Sequence, residues 1–349
     1  MTLDFTQLWN LVFTNPAIGF IFLLNLAVIL VNGWTDAPNA IATCVSTRAL
    51  SPGKSIFMAA VCNFAGVTLM TLINSGVAFT IYNMVDFSGD SHKATIALAA
   101  AMVAIVFWAV LAWLFGIPTS ESHALIAGIS GAAIALQGGF AGINGGEWLK
   151  VIYGLIFSAA AGFIMGWLNA KLTNRICRDL PRRKAENFFG KAQIGAAAGM
   201  AFMHGAQDGQ KFMGIFLLAI MLQTEDVMAT PSFPLWMMIL CSLVMGLGTS
   251  LGGMRIIKSV GMKMVHLEKH QGFAADLAGA FCLLLSSIWG LPVSTTHTKT
   301  TAIMGVGAAK RLRAVNWAVV KDMVWAWILT FPGCGLIGYA LAKLFMVLF

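Results

Sequence analysis

Charge is what this sequence has least of. Only 10% of its 349 residues are Asp, Glu, Lys or Arg, against roughly a quarter in soluble globular chains. With 58% hydrophobic residues and a mean hydropathy of +0.81, the composition excludes an ordinary soluble domain and reads as an integral membrane protein. Paired cysteines are missing too. Cys44, Cys62, Cys177, Cys241, Cys282 and Cys334 are scattered, with no C-x-x-C. Most lie in apolar runs, where a free thiol is a small hydrophobe, which argues against a disulfide frame or a structural metal. The opening "MTLDFTQLWN" has no Lys or Arg and is not followed by a short apolar core with a cleavage site, so no cleaved signal is expected. The net charge of +8 does not point to nucleic acid, because the basic residues fall in short loops between apolar segments.

What is there is a series of apolar runs of about 20 residues, the length that crosses a bilayer. They lie near 16–47 (interrupted), 55–82, 95–115, 123–136, 149–170, 192–223 (interrupted), 233–253, 272–290, 296–309 and 316–345. The fold expected is an all-α polytopic membrane protein of about 10–12 transmembrane helices, with interrupted helices or re-entrant hairpins. Basic residues collect at Arg48 and Lys54, from Lys171 to Lys191, from Arg255 to Lys269, and at Lys310, Arg311 and Arg313, marking the cytoplasmic side. Asp86, Asp90, Glu147, Glu225 and Asp226 fall by parity on the other side. This places the chain in the cell membrane with both termini outside.

The chain repeats itself. "GIPTSESHALIAGISGAAIA" at 116–135 matches "GLPVSTTHTKTTAIMGVGAA" at 290–309, an offset of 174. "NGWTDAPN" at 32–39 matches "HGAQDGQK" at 204–211, an offset of 172. Two motifs in the same order at nearly the same offset indicate a duplication. Residues 1–171 form the first repeat, 172–191 a basic cytoplasmic linker and 192–349 the second repeat. Each repeat holds five spans, an odd number, so the second copy enters the membrane from the opposite side.

Inverted repeats with broken helices are the architecture of secondary transporters, which bind near the midplane where the two halves meet. Pro38 and Gly33 are expected to interrupt the first helix, and Gly205 and Gly209 its counterpart. Asp36 and Asp208 then become paired intramembrane acids, a residue type that marks ion pathways. Thr35, Asn39 and Gln207 stand beside them as neutral oxygen ligands for a hard cation. In the second motif pair, Pro118 and Pro292 end what precedes. Ser120, Glu121, Ser122, Ser294, Thr295 and Thr296 then open a helix whose free amides and hydroxyls suit a tetrahedral oxyanion.

His123 and His297 read first as turn-holding residues that bond a neighbouring carbonyl, and second as proton carriers. Lys211 and Lys299 either compensate substrate charge or snorkel to an interface. Asp276 is a gating group or an interfacial acid. A divalent oxyanion beside two ionised aspartates is prohibitively costly in a poorly solvated site unless cations accompany it. Coupled transport follows from those charges.

At these residues the sequence resembles the inorganic phosphate transporter (PiT) family, over nearly the whole chain. That family carries a Gly-x-Asn-Asp motif early in each half and Gly-x-Pro-x-Ser-[ST]-[ST]-His later; "GWTDAPNA", "GAQDGQK", "GIPTSESH" and "GLPVSTTH" stand in those places. Thr35 and Gln207 replace the usual Asn, and Glu121 replaces a small hydroxyl residue. The resemblance implies a symporter of inorganic phosphate with Na+ or H+ and no enzymatic cofactor. Coupling ion, sulfate as alternative cargo, and oligomeric state, a homodimer included, stay open. An intramembrane hydrolase built on Ser120 and His123 would leave the doubled motifs unexplained. An anion channel stays as a competing reading, because inverted repeats also build pores.

Overall fold

Helices begin where the sequence supplies a cap or a proline. Asp90 accepts the amides of His92 and Lys93 and starts one helix. Asn144 and Asn316 cap two long ones in the same way. Ser120 Oγ accepts the N–H of His123 at 3.3 Å and Ser294 Oγ that of His297 at 3.1 Å. The first glycine of each "GIP" or "GLP" motif ends the preceding segment in the left-handed region, Gly116 at φ 67° and Gly290 at φ 64°, a conformation other residues rarely adopt.

The computed structural model describes residues 5–14, 16–117, 119–224, 233–251 and 254–349. Pro118, Glu225 and Asp226, singled out above, lie outside them. The helices of the first half are α1 (Phe5–Thr14), α2 (Pro16–Thr35), α3 (Pro38–Ser46), α4 (Pro52–Ile73), α5 (Gly76–Tyr82), α6 (Ser91–Phe115), α7 (Glu121–Gln137) and α8 (Gly145–Ile176). Those of the second are α9 (Arg182–Thr224), α10 (Leu235–Leu251), α11 (Met254–Lys258) with a π-helical turn Ser259–Lys263, α12 (Lys269–Ile288), α13 (Thr295–Lys310) and α14 (Trp317–Leu348).

Six of these, counting α2 and α3 as one crossing from Ile18 to Ser46, are long and apolar enough to span a membrane, and a seventh if α10 and the bent α11 segment form one span. The side chains are distributed inside out. Phe57, Ile73, Phe115, Ile156, Leu336 and Val347 face outward, while Asn25, Asn32, Asn63, Gln193, His204, Lys211 and Lys299 are buried. Apolar exterior with polar interior is the arrangement a hydrocarbon solvent selects, and this is a multi-pass membrane protein.

Packing partners exchange between halves. Helix α4 lies on α9 as α10 lies on α2, and α7 lies on α14 as α13 lies on α8. The closest approaches match: a β-carbon on Gly131 would run into the Gly335 carbonyl, and one on Gly305 into that of Phe163. Each pair is related by the 172–174 offset read from the motifs.

One expectation fails. The chain breaks between Thr35 and Pro38, as the proline requires, but α9 runs unbroken through Gly205 and Gly209. Those glycines serve packing instead: side chains there would strike the backbone of Asn63 and the side chain of Val67 on α4. A glycine inside a helix costs only about 1 kcal/mol, and close helix contact recovers it.

Candidate substrate and cation site

The break after α2 and the middle of α9 bring Asp36 and Asp208 together, each about 1% exposed. The N-termini of α7 and α13 point at them. Asp36 Oδ1 accepts from Asn39 Nδ2 at 2.6 Å and also from the Thr296 hydroxyl. Asp208 Oδ1 accepts from Lys211 Nζ at 2.8 Å and from Ser122 Oγ at 3.4 Å. Between the acids stands Thr295, whose hydroxyl lies 3.3 Å from Asp36 Oδ2 and 3.3 Å from Asp208 Oδ2. It has one proton and can donate to only one carboxylate at a time.

Two residues of this centre escaped the sequence reading. Asn32 Nδ2 donates to Asp208 Oδ2 at 3.2 Å, and His204 Nε2 lies 3.4 Å from the same oxygen. Ligand atoms of Asp36, His204 and Asp208 fall within 4.8 Å of one another, close enough to share one cation. The signal was present: Asn32 and His204 open the two matched strings, in register.

The neutral ligands divide. Asn39 Oδ1 and Gln207 Oε1 are buried oxygens without a hydrogen-bond partner, as is Asn32 Oδ1, the state expected of groups that coordinate an ion. Thr35 instead returns its hydroxyl to the Val31 carbonyl at 2.7 Å. Ser120 and Ser294 are occupied as helix caps. Glu121 is 3% exposed, lies beside Asn32, and adds a third acid to the field of Asp36 and Asp208. Three acids face one ammonium in a desolvated place, where ionising all three together is costly without a further cation.

Other placements correct the sequence reading. Among the described residues no carbonyl accepts from the ring of His123 or His297; the two rings pack edge to face at 4.5 Å, His123 stacks on Phe331 at 4.6 Å and His297 lies tilted on Trp327 at 3.8 Å. Neither Lys211 nor Lys299 snorkels, since both are fully buried. Asp276 is not interfacial: it is fully buried and pairs with Lys299 Nζ. Around that pair Thr43 Oγ1 donates to Asp276 Oδ1 at 2.6 Å, and Lys299 Nζ reaches Thr43 Oγ1 at 3.1 Å and the Ala40 carbonyl at 3.3 Å.

Sequence comparison finds this set of residues inside a known family. The profile described as "Phosphate transporter family" matches residues 32–338, which includes both acids and both hydroxyl motifs. The chain belongs to the phosphate transporter family. A Bacillus subtilis (strain 168) member named "Probable low-affinity inorganic phosphate transporter" is 39% identical over 307 residues, covering 88% of this chain and 90% of the relative. A Rhizobium meliloti (strain 1021) protein of the same name is 37% identical over 307 residues, with the same coverage of 88% and 90%. Among solved structures, one titled "The sodium-dependent phosphate transporter" superposes with a TM-score of 0.87 at 22% identity, over 96% of this chain and 100% of the other. At that identity the likeness establishes the fold. The relatives are named as transporters and permeases, a transport role and not a catalytic one.

Proposed function

We propose that this family member carries inorganic phosphate across the cell membrane together with Na+ or H+, by alternating access around the Asp36–Asp208 centre. The observation that carries the reading is the Thr295 hydroxyl, set 3.3 Å from a carboxylate oxygen of each half. Acids from motifs 172 residues apart have no structural need to meet, and two carboxylates sharing one hydroxyl proton form a place for a cation. Phosphate is the cargo that the relatives' names indicate.

Coupling follows from competition for the same oxygens. As folded here, Thr296, Thr295 and Ser122 direct their hydroxyls at the aspartates. A cation between the carboxylates draws them off, and the freed hydroxyls, with the amides at the N-termini of α7 and α13, receive the anion. Without the cation the anion meets repulsion from the acids. The exchange of packing partners between halves supports residues 1–171 and 192–349 as inverted repeats flanking the basic segment 172–191. Both termini then lie outside.

The test is uptake of labelled phosphate into proteoliposomes, with sodium and proton gradients imposed separately and sulfate as competitor. Saturable uptake driven by one of the two gradients is expected. Uptake indifferent to both would remove the symport reading, and stronger uptake of sulfate would reassign the cargo.

A further inference from the structure

The two acid centres share a construction and differ in the residue that stands one turn after the acid. In the first, Asn39 sits one turn after Asp36, and its Nδ2 bonds Asp36 Oδ1 at 2.6 Å and Thr296 Oγ1 at 3.0 Å. In the second, Lys211 sits one turn after Asp208, and its Nζ bonds Asp208 Oδ1 at 2.8 Å and Ser122 Oγ at 2.7 Å. Asn39 and Lys211 are 172 residues apart, and Ser122 and Thr296 are 174 apart. Each centre thus takes its acid from one half and its hydroxyl from the other.

The amide is neutral and keeps a buried oxygen, Asn39 Oδ1, without a partner. The ammonium brings a full positive charge and no acceptor. Its third contact is the Val293 carbonyl at 2.5 Å, so three oxygens surround Nζ and take its three protons. Lys211 is fully buried, and its Nζ holds a single positive charge among three oxygens.

We propose that Lys211 is a resident cation that stands in for one coupling ion. The Asp208 centre is compensated permanently, and only the Asp36 centre takes up a cation from solution with each turnover. This rests on the symport reading above. It adds that the cation count per phosphate is set by which residue occupies positions 39 and 211.

The experiment counts charge. Reversal potentials of phosphate uptake in proteoliposomes give cations carried per phosphate for the native chain, Lys211→Asn and Asn39→Lys. Lys211→Asn is expected to carry one cation more and Asn39→Lys one fewer. The double exchange, Asn39→Lys with Lys211→Asn, should return the native ratio. An unchanged ratio in either transporting single variant overturns the proposal.

A second measurement needs no transport. The number of sodium ions or protons bound by the detergent-purified protein should rise by one in Lys211→Asn and fall by one in Asp36→Asn. An unchanged count in Lys211→Asn, with a monodisperse elution profile, overturns the proposal as well. A native chain that binds cations but carries no phosphate would instead sink the symport reading and leave the ion count to be judged by binding.

Discussion

Lys299 and Leu125 occupy matching positions 174 residues apart, as do Asp276 and Met102. In the second half these positions hold a fully buried ion pair, and in the first a pair of fully buried apolar side chains within the largest apolar cluster. The contrast extends along the neighbouring helix. Thr43, Thr47 and Gln193 belong to the polar side, and their counterparts at the 172 offset are Ile215, Ala219 and Ile21, all in the apolar cluster. Thr47 Oγ1 lies 2.8 Å from Gln193 Oε1 and also lines a cavity of about 550 Å³ with Arg182, Glu186, Glu268, Lys269 and His270.

The molecule is therefore symmetric at its centre and asymmetric on the way out. From Asp36 towards the basic face, α3 and its C-cap offer Asn39, Thr43 and Thr47 along one stripe; from Asp208 the other way, α9 offers Phe212, Ile215 and Ala219 after Lys211. An ion on the first stripe would exchange one oxygen for another, whereas on the second it would meet hydrocarbon. One stripe is lined by side-chain oxygens, and the other is apolar.

The largest effect should come from breaking a buried ion pair on one side only. Asp208→Asn leaves Lys211 charged, buried and unpaired, a change worth about 3–5 kcal/mol of stability. It should both abolish phosphate uptake and lower Tm sharply in detergent. Asp36→Asn faces a neutral amide, so it should abolish uptake while leaving elution and Tm close to native. Equal thermal losses in the two variants would contradict the difference drawn between Asn39 and Lys211.

The next test makes the outlet symmetric. Asp276→Asn alone strands Lys299 and should cost about 3–5 kcal/mol. Asp276→Met with Lys299→Leu installs the pair that the first half carries, and should recover most of that stability. Uptake should nonetheless fall tenfold or more, since an uncompensated polar step costs about 1–3 kcal/mol. Native uptake in the double variant would mean that the polar stripe is not on the ion's route.

Smaller losses should follow at the shared hydroxyls. Thr296→Val removes a donor to Asp36 and Ser122→Ala one to Asp208 and one acceptor for Lys211. Each hydrogen bond to a charged group is worth roughly 1.5–3 kcal/mol. Weaker phosphate affinity, read as a raised half-saturation concentration with cation dependence retained, is expected of both. A change confined to cation dependence would reverse the assignment of the two motif pairs.

How much of this was legible in the sequence varies with the distance over which each feature is decided. Helix positions were legible because apolar runs are local, and the caps at Ser120 and Ser294 because a helix start needs only three residues. Asp36 and Asp208 were legible because the duplication printed them twice. The continuity of α9 was not, since Gly205 and Gly209 look like breakers until Asn63 and Val67 come to lie against them. Nor was the polar outlet: Thr43 meets Asp276 across 233 residues and Thr47 meets Gln193 across 146, pairings that exist only once α3, α9 and α12 are packed.

The prediction with the smallest effect on transport bears most on the symmetry itself. Ser88 lies in the connection between α5 and α6, and His266 in the matching connection before α12; both are exposed. Single cysteines at these positions, on a background with the six native cysteines replaced, should leave uptake unchanged. If the halves are inverted, a membrane-impermeant thiol reagent applied to intact cells should label the variant at Ser88. The variant at His266, flanked by Lys263 and Lys269, should react only after the membrane is opened, because basic loops stay on the cytoplasmic side. A parallel duplication would put both on the same side. The exchanged packing of α7 on α14 and α13 on α8 would then need another origin, and Asp36 and Asp208 would no longer be related by an axis in the membrane plane.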